Sequence, residues 1–532
     1  MAGSGCGRRA ASPSEGGPIV VVGVDGASWS VLSPMLEQGR LPRLAGLYRA
    51  GSAGLMRSVE PMVTAPMWTT LATGRPASVH GIRTNAVRIP GTYTLRPVTA
   101  DQRRSPAIWS IASHHDAAVG VVGWPVGFPA EPVRGFVISA AWNAASGEPP
   151  RGIYPDGALD PEGSTGEALD VPDRLAGVAS FDADLGEAFE RDLADLSRGL
   201  SLTRVYQPRI LLLRFSSIDS ASHRYWQFLD PGHVERLRAR GETIAPDDAG
   251  HAGQMVPAAY EFLDAWVGML MDRIPEHSTI VIVSNHGFRA ANEEERARLD
   301  PDRLLRALGY LRIGAGGTPD WSETIAFTLP ADDGPLRGIY LNVEGREREG
   351  SVPAGDLERL RVEISGTLRS IATRDNRTFM EEVSLPEARA DVEPDLWIAE
   401  RGGIDDAEEL VHAGNSPEPL TAGDLRRPRT DMGRHDINGI ILAAGAGIAR
   451  GRTGFSADLV DVTPTLLHLA GIPVAADLPG ELIVPMLDDP PSDLTRSIKG
   501  YPGLRPAPDP VMLPAEFAAR EIEALRRASH LF

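Results

Sequence analysis

Five short runs set the limits on what this chain can fold into: IVVVGV (19–24), AVGVVGW (118–124), RILLLRF (209–215), STIVIVS (278–284) and GIILAAG (439–445). Each is apolar almost without interruption and is bounded by turn-forming residues. A strand with one wet face alternates polar and apolar side chains, whereas a continuous apolar run needs cover on both faces, as in an α/β sheet. Helical patterns lie between the runs. Leu263, Trp266 and Leu270 make one stripe in YEFLDAWVGMLMD, and Leu357, Leu360, Ile364 and Leu368 make another in DLERLRVEISGTL. In DVTPTLLHLAGIP, Pro464 marks a helix start and Gly471 its stop.

A length of 532 residues allows either several domains or one large α/β domain with insertions. Residues 143–172 and 401–432 are Pro- and Gly-punctuated and irregular, and the chain beyond about 488 reads as a linker leading to a short helix, AEFAAREIEALRRA. The expected organisation is therefore a tail at 1–17, a catalytic domain at 18–488 with insertions near 143–172 and 290–430, and an extension at 489–532. The start, MAGSGCGRRAASPSEGGP, has no apolar core and reads as a disordered tail instead of a signal peptide. Its Cys6 is the only cysteine, so neither an internal disulfide nor a cysteine metal site is expected. No run approaches the roughly 20 apolar residues of a membrane span, and a soluble, cytoplasmic protein is expected. A net charge of −19 argues against gripping a nucleic-acid duplex through its phosphates.

Polar residues with metal-binding chemistry follow the apolar runs. Asp25 follows the first, Asp219 and His223 follow RILLLRF, and Asn285 and His286 follow STIVIVS, while His435 precedes GIILAAG. Ligands of open parallel sheets bind outside the C-terminal ends of the strands. Carboxylate and imidazole donors without thiolate suit Zn²⁺ or Mn²⁺, and the number of candidates suits two ions. Two such ions are a common device for stabilising the entering and leaving oxygens of a phosphoryl transfer.

VDGAS (24–28), VTAPMWTTLATGRPASVHGI (63–82), DSASH (219–223), SNHG (284–287) and GRHDINGI (433–440), in this order, resemble the alkaline phosphatase superfamily, most closely its type I phosphodiesterase/nucleotide pyrophosphatase branch. IYLNVEGRE (339–347) and DVTPTLLHLAGIP (461–473) extend the likeness over about residues 18–488. The resemblance implies a three-layer α/β sandwich around a central, mainly parallel sheet, with inserted loops and a smaller cap region. It implies Thr64 as nucleophile, forming a phosphothreonine, and Asn85 as a hydrogen-bond donor to a phosphate oxygen. One zinc would be held by Asp25, Thr64, Asn285 and His286, the other by Asp219, His223 and His435.

The pattern departs at one ligand: the family has Asp-His-Gly where this chain has Asn285-His286-Gly287. A neutral amide in place of a carboxylate removes one negative charge from the first ion. Two classes of function follow from these residues. One is a metal-dependent hydrolase of a small phosphate ester, with diesters ahead of monoesters or phosphonates. The other is a catalytically weakened protein that binds a phosphate ligand. The sequence leaves the oligomeric state open.

Overall fold

Each of the five apolar runs forms a strand of one sheet, and alternate residues of these strands enter different cores. The computed structural model describes residues 17–141, 151–159, 169–170, 172–239, 246–292, 295, 297–330, 336–386, 392–411, 420–429, 433–491, 498–505, 507–509 and 513–527. Residues 1–16 and most of the expected insertion at 143–172 lie outside them. The sheet strands are β1 (Ile19–Val24), β2 (Ser52–Arg57), β3 (Val119–Trp124), β4 (Gly135–Ser139), β5 (Ile153–Tyr154), β6 (Ile210–Phe215), β7 (Thr279–Ser284), β8 (Asn438–Ala444) and β9 (Arg452–Asp458). Their order across the nine-stranded sheet is β9-β2-β8-β7-β1-β6-β3-β4-β5. Only β5 and β8 run against the rest, so the sheet is mixed and mostly parallel.

Val20, Val22 and Val24 of β1 belong to one core with Leu211, Leu213, Ile280 and Ile282. Ile19 and Val21 belong to the other with Ile210, Leu212, Val281 and Val283. This division follows from the period of two along a strand. Covering the first face are α2 (Ala183–Tyr206) and α4 (Pro246–Met271), through residues such as Phe189, Phe262 and Trp266. Covering the second are α1 (Thr64–Thr73) and α5 (Val462–Leu469), through Trp68, Leu71, Leu466 and Leu467. Two helical layers on a buried sheet make the α/β sandwich that the apolar runs require. No helix of the described residues is long and apolar enough to cross a membrane.

The chain divides into two units, the first made of residues 1–83, 99–289 and 433–513 and the second of 84–98, 290–432 and 514–532. The sheet described above belongs to the first. In the second, an antiparallel sheet runs in the order Ala326–Thr328, Arg337–Leu341, Leu396–Glu400, Met380–Ser384. Its core joins Ile339, Leu341, Leu396 and Ile398 to Leu360, Ile364 and Leu368 of the helix Leu357–Ser370. A fully buried Arg88–Glu347 ion pair, 2.5 Å long, lies in this unit, with Arg346 bridging Glu347 to Asp395.

Candidate metal centre and active site

The register of the central strands decides where the polar residues emerge. Val24 of β1 is level with Phe215 of β6 and with Ser284 of β7. Asp25, the turn after Phe215 and Asn285-His286 therefore leave the sheet side by side at the C-terminal edge. The helix α3 (Ser217–Tyr225) starts just beyond β6 and carries Asp219 and His223 four residues apart, on one face. Strand β8 runs antiparallel to β7, so its beginning lies at the same edge, and His435 arrives there just ahead of it.

Three imidazoles converge on one carboxylate oxygen. Asp219 Oδ1 is 3.5 Å from His223 Nε2, 3.6 Å from His286 Nε2 and 3.7 Å from His435 Nε2. His223 and His435 face each other through their Nε2 atoms at 3.1 Å. All four residues are buried. Ligands about 2.0–2.1 Å from a tetrahedral zinc ion lie roughly 3.3 Å from one another, and these separations have that scale.

Hydrogen bonds on the far side of two rings set their tautomers. His435 Nδ1 is 3.0 Å from the Met62 carbonyl and His286 Nδ1 is 2.9 Å from the Gly287 carbonyl. A carbonyl only accepts, so both Nδ1 atoms carry the proton and both Nε2 atoms present lone pairs. Burial, reinforced by His435, pushes the His286 pKa below its ordinary value and keeps that ring neutral. His286 Nε2 is buried and makes no hydrogen bond of acceptable geometry. The His286 Nε2 lone pair thus faces a carboxylate oxygen, while His435 Nε2 pairs with His223 Nε2 beside it. The donors Asp219, His223 and His435, with His286 beside them, fit a divalent cation.

The group of Asp25, Asp219 and His286 also brings its donor atoms within 4.8 Å of one another. Here the surroundings differ. Asp25 Oδ2 accepts from Arg214 Nη2 at 2.5 Å and from Trp68 Nε1 at 3.2 Å. Asp25 Oδ1 accepts from Asn285 Nδ2 at 2.7 Å and lies 3.3 Å from His286 Nε2. Asn285 turns its amide nitrogen to Asp25, while its oxygen accepts from the Gly26 N–H at 3.4 Å. Burial raises the Asp25 pKa, but the Arg214 guanidinium and the His286 ring together outweigh it and hold the carboxyl well below the usual range. At this group the fit to a second dication fails: an amide donates where a ligand would accept, and a guanidinium already neutralises the carboxylate.

Thr64 opens α1, and two hydrogen bonds of the neighbouring residues bracket it. Met62, two residues before it, accepts from His435, and Trp68, one helical turn after it, donates to Asp25. Val63 provides no side-chain cap for this helix. Asn85 is buried in the second unit, where its backbone carbonyl accepts from the Val98 N–H at 3.0 Å.

Sequence reasoning passed over three residues. Arg214 sits inside RILLLRF, and a charge in the penultimate position of an otherwise apolar strand was the available signal. Trp68 is fully buried and spends its one donor on Asp25. Phe288 touches all three imidazoles, with ring centroids 5.0 Å from His223, 5.4 Å from His286 and 5.3 Å from His435. A Cβ on Gly26, where φ is +77°, would come within 2.5 Å of that phenyl ring, so the backbone after Asp25 requires glycine twice over.

No curated protein matches the chain. Among solved structures it is similar to two of phosphonoacetate hydrolase from Sinorhizobium meliloti, in complex with phosphonoacetate and with phosphonoformate. These are 16% and 17% identical in sequence, each match covering 85% of this chain and 96% of that chain at a TM-score of 0.43. The family model for type I phosphodiesterase / nucleotide pyrophosphatase matches residues 19–409, a range that holds every expected site residue except His435. With that model matching well over half of its length, the chain belongs to the type I phosphodiesterase/nucleotide pyrophosphatase family.

Proposed function

We propose that the protein is a metal-dependent hydrolase of phosphate esters, acting on diesters ahead of monoesters and phosphonates, with Thr64 as nucleophile. The observation that carries this reading is the set of three imidazole nitrogens gathered about Asp219 Oδ1 at the edge of the sheet. Of the two ions the resemblance implies, the reading calls on the one that Asp219, His223 and His435 would hold, as zinc or manganese. Such an ion supplies positive charge where phosphoryl oxygens become more negative.

The chain's own residues supply the remainder. Thr64 sits at the first position of a helix without a side-chain cap, and helix N-termini suit phosphate oxygens through their N–H groups. In the proposed reaction the Thr64 oxygen bonds to phosphorus as the bond to the ester oxygen breaks, and the departing alcohol takes up a proton. Water then cleaves the phosphothreonine and restores the hydroxyl. Trp68 and the Met62 carbonyl support the reading by tying the two ends of the Thr64 segment to Asp25 and His435.

The test is turnover of bis(4-nitrophenyl) phosphate, 4-nitrophenyl phosphate and an aryl phosphonate by zinc-loaded and manganese-loaded protein. The diester should be the best substrate. Thr64→Ala should lower its rate by on the order of a thousandfold or more while metal content is unchanged. Asn285 favours the second reading, a phosphate-ligand binding protein, because a neutral amide that donates to Asp25 stands where the resemblance implies a carboxylate. Metal loading and phosphate binding without turnover of any ester would establish that reading instead.

A further inference from the structure

The Asp25 group is charged differently from the arrangement the sequence pattern implies. Asp at 25 and at 285 would give two negative charges for a dication to neutralise. This chain has one, and Arg214 matches it within hydrogen-bond distance. Three hydrogen-bond donors already hold the Asp25 carboxylate, Arg214 and Trp68 on Oδ2 and Asn285 on Oδ1. The Arg214 side chain is 20% exposed and that of Asp25 fully buried, so the pair is poorly screened by solvent. A dication entering beside Asp25 would meet the guanidinium at close range and gain one carboxylate fewer.

The Arg214 charge reaches Asp219 as well, but there imidazole donors gather around the carboxylate. Three imidazole Nε2 atoms lie within 3.5–3.7 Å of its Oδ1. The Phe288 ring packs against all three imidazoles and holds them in place. The two groups share Asp219, and His286 lies close enough to its Oδ1 to join His223 and His435 around a single ion.

We propose that the protein is a one-metal centre in which the Arg214 guanidinium, aided by the Asn285 amide, stands where the second cation of the two-ion pattern would be. Asp219, His223, His286 and His435 hold the ion, and Asp25 serves as an anchor for Arg214 and Trp68. Arg214 is then a fixed positive charge beside the Thr64 helix, present whether or not metal is bound. The inference rests on the proposed function only for its assignment of the Asp219 cluster to a divalent ion.

The experiment is a count of zinc by mass spectrometry on the full chain, loaded with excess zinc and then desalted. One ion per chain is expected, falling to almost none in Asp219→Asn and in His435→Ala. A wild-type count of two, or of none, overturns the proposal. The double variant Arg214→Met/Asn285→Asp restores the two-carboxylate pattern and should bind two ions. A folded double variant, checked by circular dichroism, that still binds one shows that Arg214 and Asn285 are not what excludes the second ion, and also overturns it. One ion with no turnover of any ester removes the hydrolase reading and leaves this inference standing; two ions with turnover does the reverse.

Discussion

His80 shows how one side chain near the Thr64 helix couples its proton to the stability of the fold. Its Nδ1 accepts from the Ile82 N–H at 3.1 Å, so the proton resides on Nε2, 3.1 Å from the Thr70 hydroxyl of α1. Charging the ring would set a proton on Nδ1 against that N–H. Burial, then the Arg103 guanidinium, lower its pKa to about 4. The unfolded chain takes up this proton near pH 6.5 and the folded one only near 4, so stability is complete above that window and is lost as pH falls through it. The loss should reach about 2 kcal/mol by pH 5 and about 3 kcal/mol near pH 4, seen in urea unfolding at pH 7.5, 6, 5 and 4 with a chelator present, and His80→Gln should have a shallower slope. Single residues were legible in the sequence when they followed an apolar run, as Asp25, Asp219, His223 and His286 do. The counter-charge on Asp25 was not, because Arg214 finds its partner 189 positions away, across neighbouring strands.

The same contrast holds for whole elements. The runs at 19–24, 210–215 and 279–284 are strands from end to end because both faces are buried. SAGLMR (β2) and RTGFSAD (β9) are strands too, but their small and polar residues carry no apolar pattern, and pairing with β8 and with each other makes them. The start of α3 depends on a residue that sequence spacing does not reveal. Asp192 of α2 accepts from the N–H and the hydroxyl of both Ser216 and Ser217. These bonds fix the first turn of the helix that carries Asp219 and His223. Asp192→Ala should leave buried donors without partners, at a cost of about 1–3 kcal/mol or more. It should also weaken zinc binding by about tenfold or more, measured by competition with a chromogenic chelator. Unchanged zinc affinity would show that α3 is held by its packing alone.

For the molecule as a whole, every donor of the Asp219 cluster lies in the first unit, although the chain leaves that unit between 290 and 432 before returning with His435. The sequence marked 290–430 as an insertion, but nothing in composition ties 84–98 and 514–532 to it. That tie comes from packing, as where the helix Ala515–Arg527 meets the strand Leu95–Pro97. Zinc should therefore slow hydrogen exchange at 217–225, 284–288 and 433–437 while leaving 326–341 and 357–370 unchanged, since a ligand stabilises the folded state it binds. Strand order has a further consequence, for biosynthesis. β2 pairs only with β8 and β9, so residues 52–57 leave the ribosome with no strand to join until 438–458 have been made. At roughly 5–20 residues per second that wait lasts about 20–80 s. From the completion of β7 until the end of that wait, the nascent protein carries an unfinished sheet whose open border, at β7, is itself a docking edge for another chain.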